Sequence, residues 1–263
     1  MIVAAFEGWN DAGEAASSAI DFLADAWDAE PFASIDPEEF YDFTVTRPHA
    51  VVGEDGERRV EWPANEFAVV RPPGAPDIVL LRGVEPQMRW RTFCDQVTGT
   101  AEQIGARLVL TLGSLLAEVP HTRPTSVFGT AYDPVVIEAL HLEPSRYEGP
   151  TGIVGVLHHE CRARHLNSAS LWAAVPSYVG SAPSPKASLA LVRRLCDMLH
   201  TTVDAQDLET ASIVYERQIS DLVAEDDQTV GYVEHLEEQH DAERAADGSV
   251  DLVAEVERFL REQ

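Results

Sequence analysis

The sequence predicts an α/β protein, with a mostly parallel sheet covered by helices on both faces. One indication is a set of short, continuous apolar runs, such as Ile2–Phe6, Ile78–Leu81 and Leu108–Leu112. They lack the alternation of a half-exposed strand and read as strands buried on both faces. Another is the helical segments between them, whose apolar residues recur at spacings of three and four. The third is short connections carrying Gly, Pro, Asp and Ser, as βα units require.

Ile2–Phe6 is the first strand, and Gly13–Trp27 follows as a helix with Ala16, Ile20, Leu23 and Trp27 on one face. Asp36-Pro37 reads as an N-cap followed by proline at the first helical position. Tyr41–Thr46, Val51–Val52, Val60–Trp62 and Phe67–Arg71 carry strand-forming residues, and Gly53-Glu54-Asp55-Gly56 supplies a hairpin turn. This region is expected to be an antiparallel excursion. Ile78–Leu81 is a buried strand and Pro86–Gly105 a helix on Met88, Trp90, Phe93, Val97 and Ile104. Leu108–Leu112 and Val127–Thr130 are strands, and Asp133-Pro134 starts a helix over Val135–His141. Ile153–Leu157 and Ser170–Val175 read as strands, and Ser184-Pro185 caps a helix reaching about His200.

From Asp204 onward the pattern is helical only. Leu208, Ala211, Tyr215, Ile219 and Leu222 mark one stripe, Val230, Val233 and Leu236 a second. Leu252, Val256, Phe259 and Leu260 mark a third, capped by Ser249. The expected division is an α/β body over 1–203 and an acidic helical extension over 204–263. The extension should pack on the body through Leu208, Tyr215, Ile219, Leu222, Val233 and Leu252, because a segment this charged needs apolar stripes to fold.

The net charge of −26 disfavours nucleic acid and anionic membranes as partners. Residues 204–263 hold 18 Asp and Glu against 4 Arg, more than half of that charge in under a quarter of the chain. No apolar run reaches membrane-spanning length. The N-terminus opens on a strand without a basic leader, so a cytoplasmic protein is expected. Three scattered cysteines, Cys94, Cys161 and Cys196, do not form a disulfide framework.

Polar turns close the apolar strands: Gly8-Trp9-Asn10-Asp11-Ala12-Gly13, Gly113-Ser114, Pro120-His121-Thr122-Arg123-Pro124, Tyr147-Glu148-Gly149-Pro150-Thr151-Gly152 and Pro183-Ser184-Pro185-Lys186. In open α/β sheets the crevice at the strand carboxyl ends is the working face. Glu7, Asn10, Asp11, His121, Arg123, Glu160 and Lys186 are therefore the candidate binding residues. Lys186 is the single lysine. It falls in the first turn of a helix, where a cation opposes the dipole. It is expected to meet a carboxylate, with Glu7, Asp11 and Glu160 as candidates, or an anion shared with Arg123.

These turns carry a resemblance to the PAC2 family, in its actinobacterial branch. Further matching stretches are Asp36-Pro37-Glu38-Glu39-Phe40-Tyr41-Asp42-Phe43, Arg47-Pro48, Trp62-Pro63, Leu80-Leu81-Arg82-Gly83, Met88-Arg89-Trp90, Trp172-Ala173-Ala174-Val175-Pro176 and Pro185-Lys186-Ala187. The resemblance spans essentially the whole chain. It implies a three-layer α/β/α sandwich of the phosphorylase/hydrolase-like type with a C-terminal helical extension. It also implies an assembly-chaperone-like, protein-binding role, with proteasome-related or other protein clients and no agreed reaction. Relatives that dock on proteasome rings can use a tail of hydrophobic-Tyr-any type. This chain ends Leu260-Arg261-Glu262-Gln263, so tail docking is not expected. Where relatives often carry Pro-His-Tyr, this chain has Pro176-Ser177-Tyr178.

His158-His159-Glu160-Cys161 with His165 has zinc-binding atoms, but adjacent strand residues face opposite ways and no structural-zinc spacing results. No metal and no cofactor are expected. Ser114, His121 and Asp133 suggest a hydrolase, the alternative function. However, Leu112-Gly113-Ser114-Leu115-Leu116 lacks the second glycine of a nucleophile elbow. A small-anion binder built on Arg123 and Lys186 is a third reading. Gly8–Gly13 lacks dinucleotide-binding spacing and reads as a structural turn capping a helix. Trp9, Trp62, Trp90 and Trp172 are expected in the core or at a subunit interface. A closed cyclic homo-oligomer is expected, with a trimer as the working stoichiometry.

Overall fold

The computed structural model describes residues 1–53, 55–179 and 182–246. The sheet begins with β1 (Ile2–Glu7), followed by a 3-10 turn (Ala12–Glu14), α1 (Ala15–Ala26), β2 (Glu30–Ile35) and a second 3-10 turn (Pro37–Glu39). The hairpin β3 (His49–Val52) and β4 (Arg58–Glu61) leads to β5 (Asn65–Val70), β6 (Ile78–Val84), α2 (Trp90–Gln103) and β7 (Leu108–Ala117). Then come β8 (Val127–Ala131), α3 (Pro134–Leu140), β9 (Glu143–Pro144), α4 (Ile153–Ala163) and β10 (Asn167–Pro176). Helices α5 (Pro185–Leu199), α6 (Gln206–Val223) and α7 (Asp227–Ala246) complete the described chain.

Eight strands form one sheet in the order β2-β5-β6-β1-β7-β10-β8-β9. The central four, β6-β1-β7-β10, are parallel, and antiparallel neighbours flank them. Alternate residues of β1 serve two cores. Val3 and Ala5 face Ile20 and Leu23 of α1 and Leu191 and Leu195 of α5. Ile2, Ala4 and Phe6 face Phe93 and Val97 of α2 and Ile153 and Leu157 of α4. Each large side chain buried this way contributes about 1.5–3 kcal/mol relative to exposure. Phe93 anchors the second core, meeting Phe6 and Phe40 edge-on at 5.8 and 5.5 Å between ring centres. The expected three-layer α/β/α arrangement is thus present, with the C-terminal helices added to it.

Several elements differ from expectation. Gly113-Ser114 is no turn: β7 continues through it to Ala117 and pairs with β10 along its whole length. Gly113 is there because the ring of Trp172 lies across it; an added Cβ would stand 2.5 Å from that ring. Ile153–Leu157 opens helix α4 rather than forming a strand. Its buried residues Ile153, Val154, Leu157 and Cys161 share one helical face, and so short an apolar run fits either period. Tyr41–Thr46 is irregular; the Tyr41 hydroxyl donates to the Val84 carbonyl at 2.6 Å and ties the segment to β6. Strand β2 has no sequence signature because it is an exposed edge carrying Pro31. Asp36-Pro37 starts only a single 3-10 turn, though Asp36 does accept from the Glu38 amide. Helix α2 begins at Trp90, after Arg89 in the left-handed region.

The acidic helices lie over one end of this body. Leu208 packs against the first core, and Ser212, Tyr215 and Ile219 are buried along α6. Val233 and Leu236 are buried on α7. Leu222 is exposed and Ala211 faces solvent, so the buried stripe runs through Ser212 instead. Ser249, Leu252 and the third stripe lie outside the described residues, as does the 260–263 tail. Among the tryptophans, Trp27 is buried, Trp90 and Trp172 are half-buried, and Trp9 and Trp62 are exposed.

Two glycines make opposite predictions. Gly113→Ala should force Trp172 aside and cost about 1–3 kcal/mol in denaturant unfolding. Gly99→Ala, within α2 where an added Cβ meets nothing within 4 Å, should stabilise by about 0.5–1 kcal/mol in the same assay.

Candidate functional site

The turn after β1 is held from several sides. The Asp11 amide donates to the Gly8 carbonyl and the Ser114 amide to the Asn10 carbonyl. Gly13 has φ 59° and presses on Ser184, whose amide donates to its carbonyl at 2.7 Å. Asp11 turns inward and accepts from the Ala16 amide at 2.7 Å and from the amide and hydroxyl of Ser17. It therefore caps α1. Burial raises its pKa, against the lowering effect of the Ser17 bonds. Glu7 is also raised, by burial first and then by the charge of Asp11. Glu85, which the sequence did not single out, accepts from the Ile153 amide at 2.8 Å and occupies the start of α4. Residues Glu7–Gly13 are thus a structural junction.

The segment after β7 forms the second part of the strand-end face. The His121 ring is buried. Its Nδ1 and its backbone amide both meet the Tyr178 hydroxyl at 2.8 Å. Its Nε2 meets Ser220 Oγ of α6 at 3.0 Å. Ser220 donates its own proton to the Glu216 carbonyl, so Nε2 carries the hydrogen and Nδ1 accepts from Tyr178. Burial, then the nearby Lys186 charge, lowers the His121 pKa and favours this neutral form. Burial pushes Tyr178 up to about 12.

The two candidate cations are both met by the acidic helices. Lys186 donates to the His121 carbonyl at 2.5 Å and forms an ion pair with Glu216 of α6. Its partner is therefore not Glu7, Asp11 or Glu160. Arg123 binds Asp241 of α7 through Nε at 2.9 Å and Nη2 at 2.7 Å, with Glu237 at 3.4 Å. Thr122 donates to Glu237. The small polar crevice containing His121, Arg123 and Lys186 is closed by Tyr215 and His240. An anion site on Arg123 and Lys186 is thus already filled by carboxylates of the same chain.

The hydrolase arrangement is not assembled. Ser114 is fully buried within β7 and donates to the Ala12 carbonyl at 2.8 Å. His121 is engaged by Tyr178 and Ser220, and Asp133 caps α3 through the amides of Val135 and Val136. Glu160 lies towards the end of α4 and pairs with Arg164 at 2.9 Å, away from the Lys186 crevice. His158 and His159 stand on a helix, not a strand. His158 is buried against Ser170 Oγ at 2.7 Å and Thr111 Oγ1 at 3.0 Å, and burial pushes its pKa down to about 4. Among the described residues, no three His, Cys, Asp or Glu side chains converge as a metal set. Among the same residues, no helix is long and apolar enough to cross a membrane.

The sequence model of the PAC2 family matches residues 5–223. The chain belongs to the PAC2 family. It is 44% identical to a PAC2 family protein from Streptomyces avermitilis, with a TM-score of 0.82 over 88% of this chain and 98% of that one. It is 46% identical to the proteasome-assembly chaperone homologue of Mycobacterium tuberculosis, with a TM-score of 0.78 over 88% of this chain and 99% of that one. An archaeal proteasome activator from Pyrococcus furiosus, 17% identical with a TM-score of 0.68 over 84% of this chain and 92% of that one, shares the fold. Comparison with curated proteins yields no match. The family match ends with α6, so in this PAC2 protein the carboxylates meeting Arg123 come from beyond the matched segment.

Lys186→Met removes both the pair with Glu216 and the donor to the His121 carbonyl. It should lower stability by about 1–3 kcal/mol and speed amide hydrogen exchange in α6 more than in α2. His158 gives a pH prediction. Its folded pKa lies below the usual value of about 6.5, so its contribution is full above pH 6.5 and is lost as pH falls towards 4. That loss approaches about 3 kcal/mol. In His158→Gln, unfolding measured from pH 7 to 4 should show a shallower pH slope than in the unaltered chain.

Proposed function

We propose that this PAC2 protein is a protein-binding factor that assists the assembly of a multi-subunit complex, with proteasome subunits as its client class. The carrying observation is its 46% identity, over 88% of this chain and 99% of the other, to a proteasome-assembly chaperone homologue. The geometry agrees with that reading. The polar strand-end groups are taken up by internal pairing, while apolar side chains remain on the surface: Ile213, Val214 and Leu222 on α6 and Trp62 beside the β3–β4 hairpin. A partner protein covering such residues would gain from their removal from water. The negative field favours a basic face on that partner.

In the same proposal, residues 1–203 are the working body and 204–263 an acidic extension that shapes the partner surface. The protein acts in the cytoplasm as a closed cyclic homo-oligomer, a trimer. Glu7, Asn10, Asp11, His121, Arg123, Glu160 and Lys186 are its binding residues, among which Asp11, His121, Arg123 and Lys186 also fix the helices and turns around it.

Purified proteasome α and β subunits from the source organism provide the test. Mixed with this protein, they should yield a stoichiometric intermediate on native gels and assemble at an altered rate. Unchanged assembly with no complex at micromolar concentration would overturn the proposal. Sedimentation of the protein alone should give a three-chain mass; a monomer would remove the oligomer from it.

A further inference from the structure

A cleft of about 380 Å³ opens at the amino end of β10, where α4 ends and α3 begins. The Lys186 crevice lies at the other end of the same strand, beside Pro176. The cleft is larger than the space of about 150 Å³ that holds benzene, and it falls within the range of about 300–1,000 Å³ usual for ligand pockets. Tyr132, Pro134 and Leu166 give it an apolar wall, and Asp133, Arg162 and Ser168 are among its polar groups. His165 is its other titratable residue.

The three polar groups have unused bonding capacity. Arg162, in the last turn of α4, holds its guanidinium carbon 6.0 Å from the centre of the Tyr132 ring. Among the described residues no carboxylate forms an ion pair with it, although Arg164, two positions on, meets Asp95, Glu102 and Glu160. Asp133 uses Oδ1 to accept from the amides of Val135 and Val136 at 2.8 and 3.4 Å. Its Oδ2 accepts from no other described group, so Asp133 and Arg162 share the cleft without pairing. Ser168 is 8% exposed and stands on the same face of β10 as Ser170. Its hydroxyl makes no hydrogen bond among the described residues and is not sealed off from the cleft. A polar group set so deeply without a partner points to a ligand.

One charge of each sign, held apart in one cleft, selects a ligand that carries both. A guanidinium stacked on an aromatic ring keeps its edges open, and those edges bind a carboxylate through two parallel hydrogen bonds. An ammonium group suits the free oxygen of Asp133. A simple anion would meet the repulsion of a chain with a net charge of −26, and a simple cation would leave Arg162 unanswered. A zwitterion has no net charge and meets both groups. We propose that this cleft binds a free α-amino acid with an apolar side chain. The carboxylate lies on Arg162 and accepts from the Ser168 hydroxyl, the ammonium group donates to Asp133, and the side chain rests on Tyr132, Pro134 and Leu166. This site stands independently of the chaperone reading.

L-leucine, isocaproate and isoamylamine provide the test. They share one side chain, but isocaproate lacks the amino group of leucine and isoamylamine lacks its carboxylate. Titrated into the full chain and followed by ligand-observed NMR, leucine should bind at millimolar concentration, about tenfold more tightly than either analogue. Arg162→Gln should reduce leucine binding to the level of isoamylamine. Asp133→Asn, which keeps a good N-cap for α3, should reduce it to the level of isocaproate. Equal affinities of the three compounds, no leucine binding at millimolar concentration, or full leucine binding in either variant would each overturn the proposal. Should a variant fail to fold, the affinity ratios in the unaltered chain still decide.

Discussion

The central strands β6, β1, β7 and β10 are covered on both faces, and that constraint orders the rest of the molecule. Their side chains are mostly apolar; Arg82 of β6 keeps its charge by reaching out to Asp21 and Glu66, and several other polar ones are held internally. Thr111 and Ser170 meet His158, and Ser114 meets the Ala12 carbonyl. Ionised groups cannot enter such a sheet without a large desolvation cost. Most others gather where strands end and helices begin. Asp11 at α1, Glu85 at α4 and Lys186 at α5 each sit at such a junction, and each is matched to backbone or charge already present there.

Helices α6 and α7 extend the same logic to the surface. Their buried residues are few, but their carboxylates reach Lys186 and Arg123; the Lys186–Glu216 pair is partly buried, which makes it more effective than a fully exposed pair. Arg123 holds Asp241 below the usual carboxylate range by direct hydrogen bonding. Acidic helices that would repel one another in isolation are thereby held to the body by cations in a largely cation-poor chain. Part of the strong negative charge is thus spent on cohesion, while the remainder faces solvent.

The layered fold was legible because its signals are local. Asp133-Pro134 and Ser184-Pro185 cap their helices as the sequence indicates, and the β3–β4 hairpin turns at the expected glycines. Local ambiguity misled at Ile153–Leu157, where five residues could not separate a strand from the first turns of α4. At Gly113 the missing information lay elsewhere in the chain, in the ring of Trp172. The candidate site was legible only in half. Lys186 and Arg123 were visible as cations in need of partners, but Glu216 lies 30 residues from the first and Asp241 lies 118 from the second. No periodicity distinguishes those two carboxylates from the many around them. The pocket lined by Trp9, Phe128 and Trp172 had no sequence signal, since its walls come from turns, three strands and a helix brought together only by folding.

Because Lys186 is the single lysine, the chain has one side-chain primary amine, and that amine is under α6. Its side chain is 16% exposed and its protons are directed to Glu216 and the His121 carbonyl. Acylating reagents need a clear approach to the amine, and α6 denies it. Departure of α6 would open that approach. The native protein therefore contains its own chemical gauge of this joint: the rate of acylation at one nitrogen measures how often the helix lifts, without any introduced label.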